Sequence, residues 1–200
     1  MSLLRVRATR NISRVGGEKE DNAALTKCQD CVVDVKCWMP ESSKDSRSRI
    51  SAGLLMFRRR KNDLEVLLAH PGGPFFARKD HGVWTIPKGE AAAGEDLLKR
   101  AQIEFEEEVG FRPAGVWAWI KLGWIKQKGG KIVHGWAFEG DLPPDFILKS
   151  NTFEIEFPPR SGKFREFPEI DRSEFFPEEI ARRKINPAQV PFLERLLESL

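Results

Sequence analysis

The sequence predicts a mixed α/β domain, with one helix packed on a sheet and others covering its far side, behind an N-terminal tail. Two apolar runs of strand length, SAGLLMFRR and LEVLLAH, stand side by side across the charged turn RRKND. An apolar stripe of helical period runs through residues 95–109, and two proline-started helical segments close the chain. Alternating strands and helices of this kind bury one face each and settle into layers around a single core.

Residues 1–49 carry scattered apolar positions with no sustained period of two or 3.6, the texture of disorder or weak structure. MSLLRVRATRNISRV is rich in Arg and free of acids, which fits an organelle-targeting peptide, a basic tail or a translation start placed too early. Cys28, Cys31 and Cys37 all fall here, and their odd number argues against a closed disulfide framework. A zinc site would need a fourth ligand, and His70, His81 and His134 lie far outside the segment, so the cysteines read as free thiols in a reducing compartment.

The folded domain is expected over residues 50–200. After the first strand pair, HPGGPFFARKDHG is a Gly/Pro-punctuated loop and VWTIP a short strand. Glu95 to Val109 forms a helix closed by Gly110, with Glu95 and Asp96 at its positive N-terminus. VWAWIKLGWIKQ and KIVHGWAFEG flank Gly129-Gly130 and predict a hairpin with a tight primed turn, placing Trp117 and Trp119 on one strand face. DLPPDFILKSNTFEIEFPPRSGKFREFPEID is a long, partly irregular excursion. PEEIARRKI and PAQVPFLERLLESL are the closing helices.

Charge and length exclude several classes. The net charge of +3 conceals 33 basic and 30 acidic side chains, so the electrostatic message is local, and a general nucleic-acid binder would be more lopsided. No apolar run approaches the roughly 18–20 residues that span a bilayer, and the start lacks the apolar core of a secretory signal. The chain reads as soluble and cytoplasmic, with no membrane or nucleic-acid partner.

The local message is in GEAAAGEDLLKRAQIEFEEEVGF, residues 89–111. On a helix, Leu98, Ala101, Phe105 and Val109 share the buried stripe, while Arg100, Glu104, Glu107 and Glu108 gather on the opposite side. Like charges on neighbouring turns repel, so this face is either a solvated surface balanced by Lys99 and Arg100 or a site for something positive.

The segment resembles the signature of the Nudix hydrolases, G-x5-E-x7-R-E-U-x-E-E-x-G-U with U bulky and apolar. Gly89, Glu95, Glu104, Phe105, Glu107, Glu108, Gly110 and Phe111 match, and Ile103 stands where the family has arginine. The resemblance implies an α/β/α sandwich with a mixed sheet. It also implies a hydrolase of phosphoanhydrides in which Glu104, Glu107 and Glu108, with the backbone carbonyl of Gly89, hold Mg²⁺, or Mn²⁺ in its place. Glu95 would orient rather than ligate. Arg100, four residues before Glu104, is the candidate to replace the missing arginine; the alternative is a domain that binds nucleotide without cleaving it.

Family members recruit a further glutamate from outside the signature, for which Glu169 is the first choice and Glu166 the second. IPKGE is similar to the branch that acts on dinucleoside polyphosphates, which makes Lys88 a phosphate contact. Lys126, Lys128 and Lys131, with Arg160, Lys163 and Arg165, would extend a positive rim along a small phosphorylated substrate, a nucleotide by this reading. Simple or damaged nucleoside triphosphates and inositol pyrophosphates are the other substrate classes. Most of the six tryptophans are expected in the core, with at most one touching substrate, and His134 is expected to be an ordinary strand histidine.

Overall fold

The structure is a computed structural model that describes residues 49–60 and 63–200. The expected tail, apart from Arg49, and with it the three cysteines, lies outside the described residues.

The first strand, β1 (Ile50–Arg60), is buried on both faces from Ser51 to Phe57, as its unbroken run of small and apolar residues requires of a central strand. β2 (Asp63–Pro71) returns antiparallel to it, and β3 (Lys88–Glu90) pairs with its beginning. The helix α1 (Leu97–Val109) follows, then β4 (Ile120–Lys126) and β5 (Ile132–Glu139) as a hairpin. β5 lies parallel to β1, and all other pairs in the sheet are antiparallel. β6 (Thr152–Glu156) and β7 (Phe164–Pro168) form a separate two-stranded sheet. β8 (Ile170–Pro177) completes the main sheet in the order β4-β5-β1-β2-β8. Two helices, α2 (Glu178–Lys184) and α3 (Val190–Ser199), close the described chain, with a single 3-10 turn (Pro187–Gln189) before the second.

Alternation along β1 divides the core in two. Ala52, Leu54 and Met56 face Ala101, Phe105 and Val109 of α1, with Phe138. Leu55 and Phe57 face the other way, toward Trp84, Ala181, Phe192, Leu193 and Leu196. The result is the expected mixed α/β sandwich, helix α1 on one face and α2 and α3 on the other.

Several boundaries differ from expectation for local reasons. α1 begins two residues late because Asp96 caps it, its carboxylate accepting from the Leu98 and Lys99 N–H groups at 3.0 and 3.2 Å. Glu95 sits before the cap and accepts from Ala92 N–H at 2.8 Å. The helix ends on Gly110 at φ 80, as expected. The hairpin loop is one residue longer than a two-residue turn, since Gln127 and Lys131 are still bonded at 2.8 Å across Lys128, Gly129 and Gly130. β4 starts only at Ile120, so Trp117 and Trp119 do not share a strand face; Trp117 is fully exposed. VWTIP contributes isolated bridges from Trp84 and Thr85 in place of a strand.

Candidate active site

Helix α1 presents its apolar stripe to β1 and its acids to the beginning of β3. Glu104 is buried at 7% exposure, and its carboxylate rests against Gly89, where a Cβ would overlap it. Only glycine permits that approach. Arg100 pairs through Nη2 with the Glu104 carboxylate one turn on and lies 3.7 Å from Oε2 of Glu107. The Arg100 Nε is buried without a hydrogen-bond partner, so this guanidinium is only partly satisfied by its own chain. Ile103 is half-exposed.

Glu108 turns toward β3 and accepts from the Lys88 N–H at 2.7 Å. Burial pushes its pKa up to about 7, against the pull of the Lys88 charge and of that hydrogen bond, and the Glu169 charge pushes the same way. Glu169 is itself raised, by burial first and then by Glu107, again opposed by Lys88. Its side chain keeps an open side toward solvent. Glu107, Glu108, Glu169 and Lys88 therefore share one electrostatic neighbourhood beside Glu104 and Gly89. Lys131 reaches its edge: burial and then Lys88 lower its pKa, while Glu90 at 3.7 Å holds it in place.

Sequence reasoning missed what delivers Glu169. Its carbonyl accepts from Gly72 N–H at 2.9 Å, and its N–H donates to Asn151 O at 2.8 Å. The pairing of β2 with β8 shifts register between His70 and Pro71, beside this position. His70 is fully buried, with Nδ1 2.6 Å from Asp171 Oδ1 and Nε2 2.8 Å from Lys79 O, its ring edge against Trp84. The ring thus ties β2 to the residue two beyond Glu169. A histidine ending a buried strand was the only signal in the sequence.

The other sequence candidates lie elsewhere. Glu166 is on the exposed face of β7, bonded to Thr152. Lys126 pairs with Ile132 on the edge strand, three strands from β3 and so about 14 Å away at the usual strand spacing. It lines a cavity of about 810 Å³ between β4 and α3, with Trp124 and Arg195, apart from the carboxylates. Lys128 is in the hairpin loop beyond it, and Arg160 is in the loop between β6 and β7 at φ 66.

The donor set suits a hard divalent cation. The Glu104 carboxylate rests on the Gly89 backbone, Glu108 is raised by burial and by the Glu169 charge, Glu169 by burial and by the Glu107 charge, and Lys88 offsets only part of that charge. Among the described residues, no three acids or histidines already converge on one point as a ready-made cage. The residues fit a metal that draws them together with a substrate's own oxygens.

The NUDIX domain family model matches residues 47–196, and the chain belongs to that family, whose members are phosphoanhydride hydrolases that generally use divalent metals. It is a Nudix-type pyrophosphohydrolase. No curated protein matches it by sequence. Among solved structures it is similar to a C. elegans Ap4A hydrolase, in a binary complex, at 22% identity and TM-score 0.53, covering 76% of this chain and 96% of that one. It is also similar to the NUDIX domain of Shewanella oneidensis NrtR complexed with ADP ribose, at 13% identity and TM-score 0.51, covering 76% of this chain and 88% of that one. These likenesses are of fold. No helix among the described residues is long and apolar enough to cross a membrane.

Proposed function

We infer that the protein is a metal-dependent hydrolase of nucleoside polyphosphates, with dinucleoside polyphosphates as the leading substrates, working in the cytoplasm. The observation that carries this is the Glu104 carboxylate resting on Gly89, with Glu107, Glu108 and Glu169 sharing one electrostatic neighbourhood with Lys88 beside it. Two fold neighbours support the nucleotide class: one is described as an Ap4A hydrolase and one is complexed with ADP ribose.

Glu104, Glu107 and Glu108 would hold Mg²⁺, or Mn²⁺, with the Gly89 carbonyl. When bound, the ion offsets phosphate charge and makes a coordinated water a better nucleophile. Lys88 contacts a phosphate oxygen and stabilises charge that grows on the leaving group. Glu169, held at a raised pKa beside Glu107, takes the proton from the attacking water. Arg100 aligns the Glu104 carboxylate and fills the electrostatic place of the arginine that Ile103 replaces. Lys131 extends the phosphate contacts, whereas Lys126, Lys128 and Arg160 serve only a substrate long enough to leave the cluster.

The test is product identity across nucleoside triphosphates, dinucleoside polyphosphates, ADP ribose and an inositol pyrophosphate, with and without Mg²⁺. Metal-dependent cleavage, strongest on dinucleoside polyphosphates and reduced about 10–100-fold in Arg100→Ala, is expected. Ile103 favours one second reading, a nucleotide sensor without turnover. Binding without cleavage, with turnover appearing in Ile103→Arg, would establish it.

A further inference from the structure

The cavity between β4 and α3, about 810 Å³, takes no part in the chemistry above, although its volume is that of a small-molecule site. One wall is β4, the outer strand of the sheet, and the other is a stripe of α3 that includes Arg195 and Glu198. An outer strand ordinarily offers alternating donors and acceptors to whatever comes beside it. β4 does not. Arg195 Nη1 donates to both the Leu122 and the Trp124 carbonyl, at 2.7 and 3.1 Å. Gly123 between them, at φ 77, permits this approach, since a Cβ there would stand 3.3 Å from the same nitrogen. The donor side of the edge stays free. Gln127 spends its N–H inward on Lys131 O, at 2.8 Å, so by alternation Lys126 turns its own N–H to the open side, where it has no partner among the described residues.

Charge follows the same pattern. Lys121 and Lys126 line the cavity at either end of its β4 wall, with Arg195 reaching the strand between them, and Glu198 is the one acid in the lining. None of the three cations is in an ion pair among the described residues, although Glu198 follows Arg195 by three positions on the same helix. Shielding of the strand edge explains where Arg195 Nη1 points. It leaves the two lysines and the rest of the guanidinium without a counter-charge.

We propose that this cavity is a second binding site, for a small phosphorylated molecule, and that it works without a metal. A phosphate seated against the edge meets the Arg195 guanidinium and the Lys126 N–H, while Lys121 and Lys126 compensate its charge. A peptide strand is the poorer fit, because it needs acceptors as well as donors and Arg195 already occupies those of Leu122 and Trp124. The molecule is held there and not cleaved, since a lining with Glu198 as its one acid has no carboxylate cluster to place an ion or activate water. The site therefore stands apart from the hydrolase reading.

The test is calorimetric titration of the full chain with ADP and with inorganic pyrophosphate in metal-free buffer, where the carboxylates beside Gly89 repel both probes. The wild type should bind each, more weakly as salt is raised. Arg195→Gln should weaken both about tenfold or more, as loss of a charge-assisted hydrogen bond does, and Lys121→Gln should weaken them less. Glu198→Gln should tighten both. Lys88→Gln, at the catalytic cluster, should change neither, and its loss of turnover with ADP binding intact would keep the two sites apart. Glu198→Gln leaves the bonds from Arg195 to the strand in place, so it carries the test even where Arg195→Gln melts far below the wild type. The site is overturned if the wild type binds neither probe without metal, or if a folded Arg195→Gln binds them as the wild type does. It is overturned equally if Glu198→Gln leaves the affinity unchanged, or if Lys88→Gln weakens it as much as Arg195→Gln.

Discussion

Gly89 and Glu108 show how single residues load this site. The missing Cβ at 89 lets one carboxylate rest on the strand, and the N–H of the residue before it holds another. Without a cation, that arrangement is held against charge repulsion. Glu108 makes the cost measurable, because its pKa in the folded protein, about 7, exceeds the ordinary 4.5. A carboxylate whose pKa rises on folding binds its proton more tightly in the native state, so its contribution is whole below the ordinary value and is lost as pH rises through the folded one. In chelator, the melting temperature of the wild type should therefore fall relative to Glu108→Gln between about pH 4.5 and pH 7. The variant should be the more stable protein above that window. Parallel curves across it would show that Glu108 is not crowded in the native state. Saturating Mg²⁺ should shrink the difference at high pH by supplying the missing charge.

At the scale of elements, the acidic helix and the strand end beside it were legible to different degrees. The helix announced itself, because a 3.6-residue stripe of Leu98, Ala101, Phe105 and Val109 fixes which side the glutamates occupy. Arg100 and Glu104, four apart, meet for the same reason. Distant pairings were not legible. Nothing local says that Gly72 bonds Glu169 or that β4 starts at Ile120, since register comes from tertiary packing. Trp117 is the cost of that blindness: alternation placed it on a strand that does not reach it. The His70–Asp171 tie belongs to this class, and it predicts that His70 positions Glu169 without touching substrate. His70→Phe should lower kcat about tenfold or more with little change in KM, as loss of a supporting contact does. In a Glu169→Gln background the same substitution should cost almost nothing more, because both act through one carboxylate. Full additivity of the two losses would instead mark His70 as a support for the fold alone, which thermal melts of the single variants would show.

For the whole molecule, hydrogen bonding reaches one residue before the start that composition suggested. The change of texture at Ser51 predicted a domain from residue 50. Yet Arg49 contributes its carbonyl to the Ile132 N–H at 3.0 Å, and its side chain lies 3.8 Å from Glu90. That bond ties β5 at the point where it joins β1 in parallel, and β1 in turn holds β3, the strand that carries Gly89. The family match, beginning at residue 47, agrees with the earlier boundary. We predict that residues 47–200 suffice for both folding and hydrolysis. The segment before them offers little apolar surface to offset the entropy of ordering it. A chain of 47–200 should unfold in one cooperative transition, with the melting temperature and turnover of the full chain. A chain of 51–200 should melt lower, because the Ile132 N–H loses its partner, at about 1–3 kcal/mol for a donor left unsatisfied. If 47–200 fails to give a cooperative transition where the full chain gives one, the first 46 residues belong to the folded unit and the boundary drawn from Arg49 is wrong.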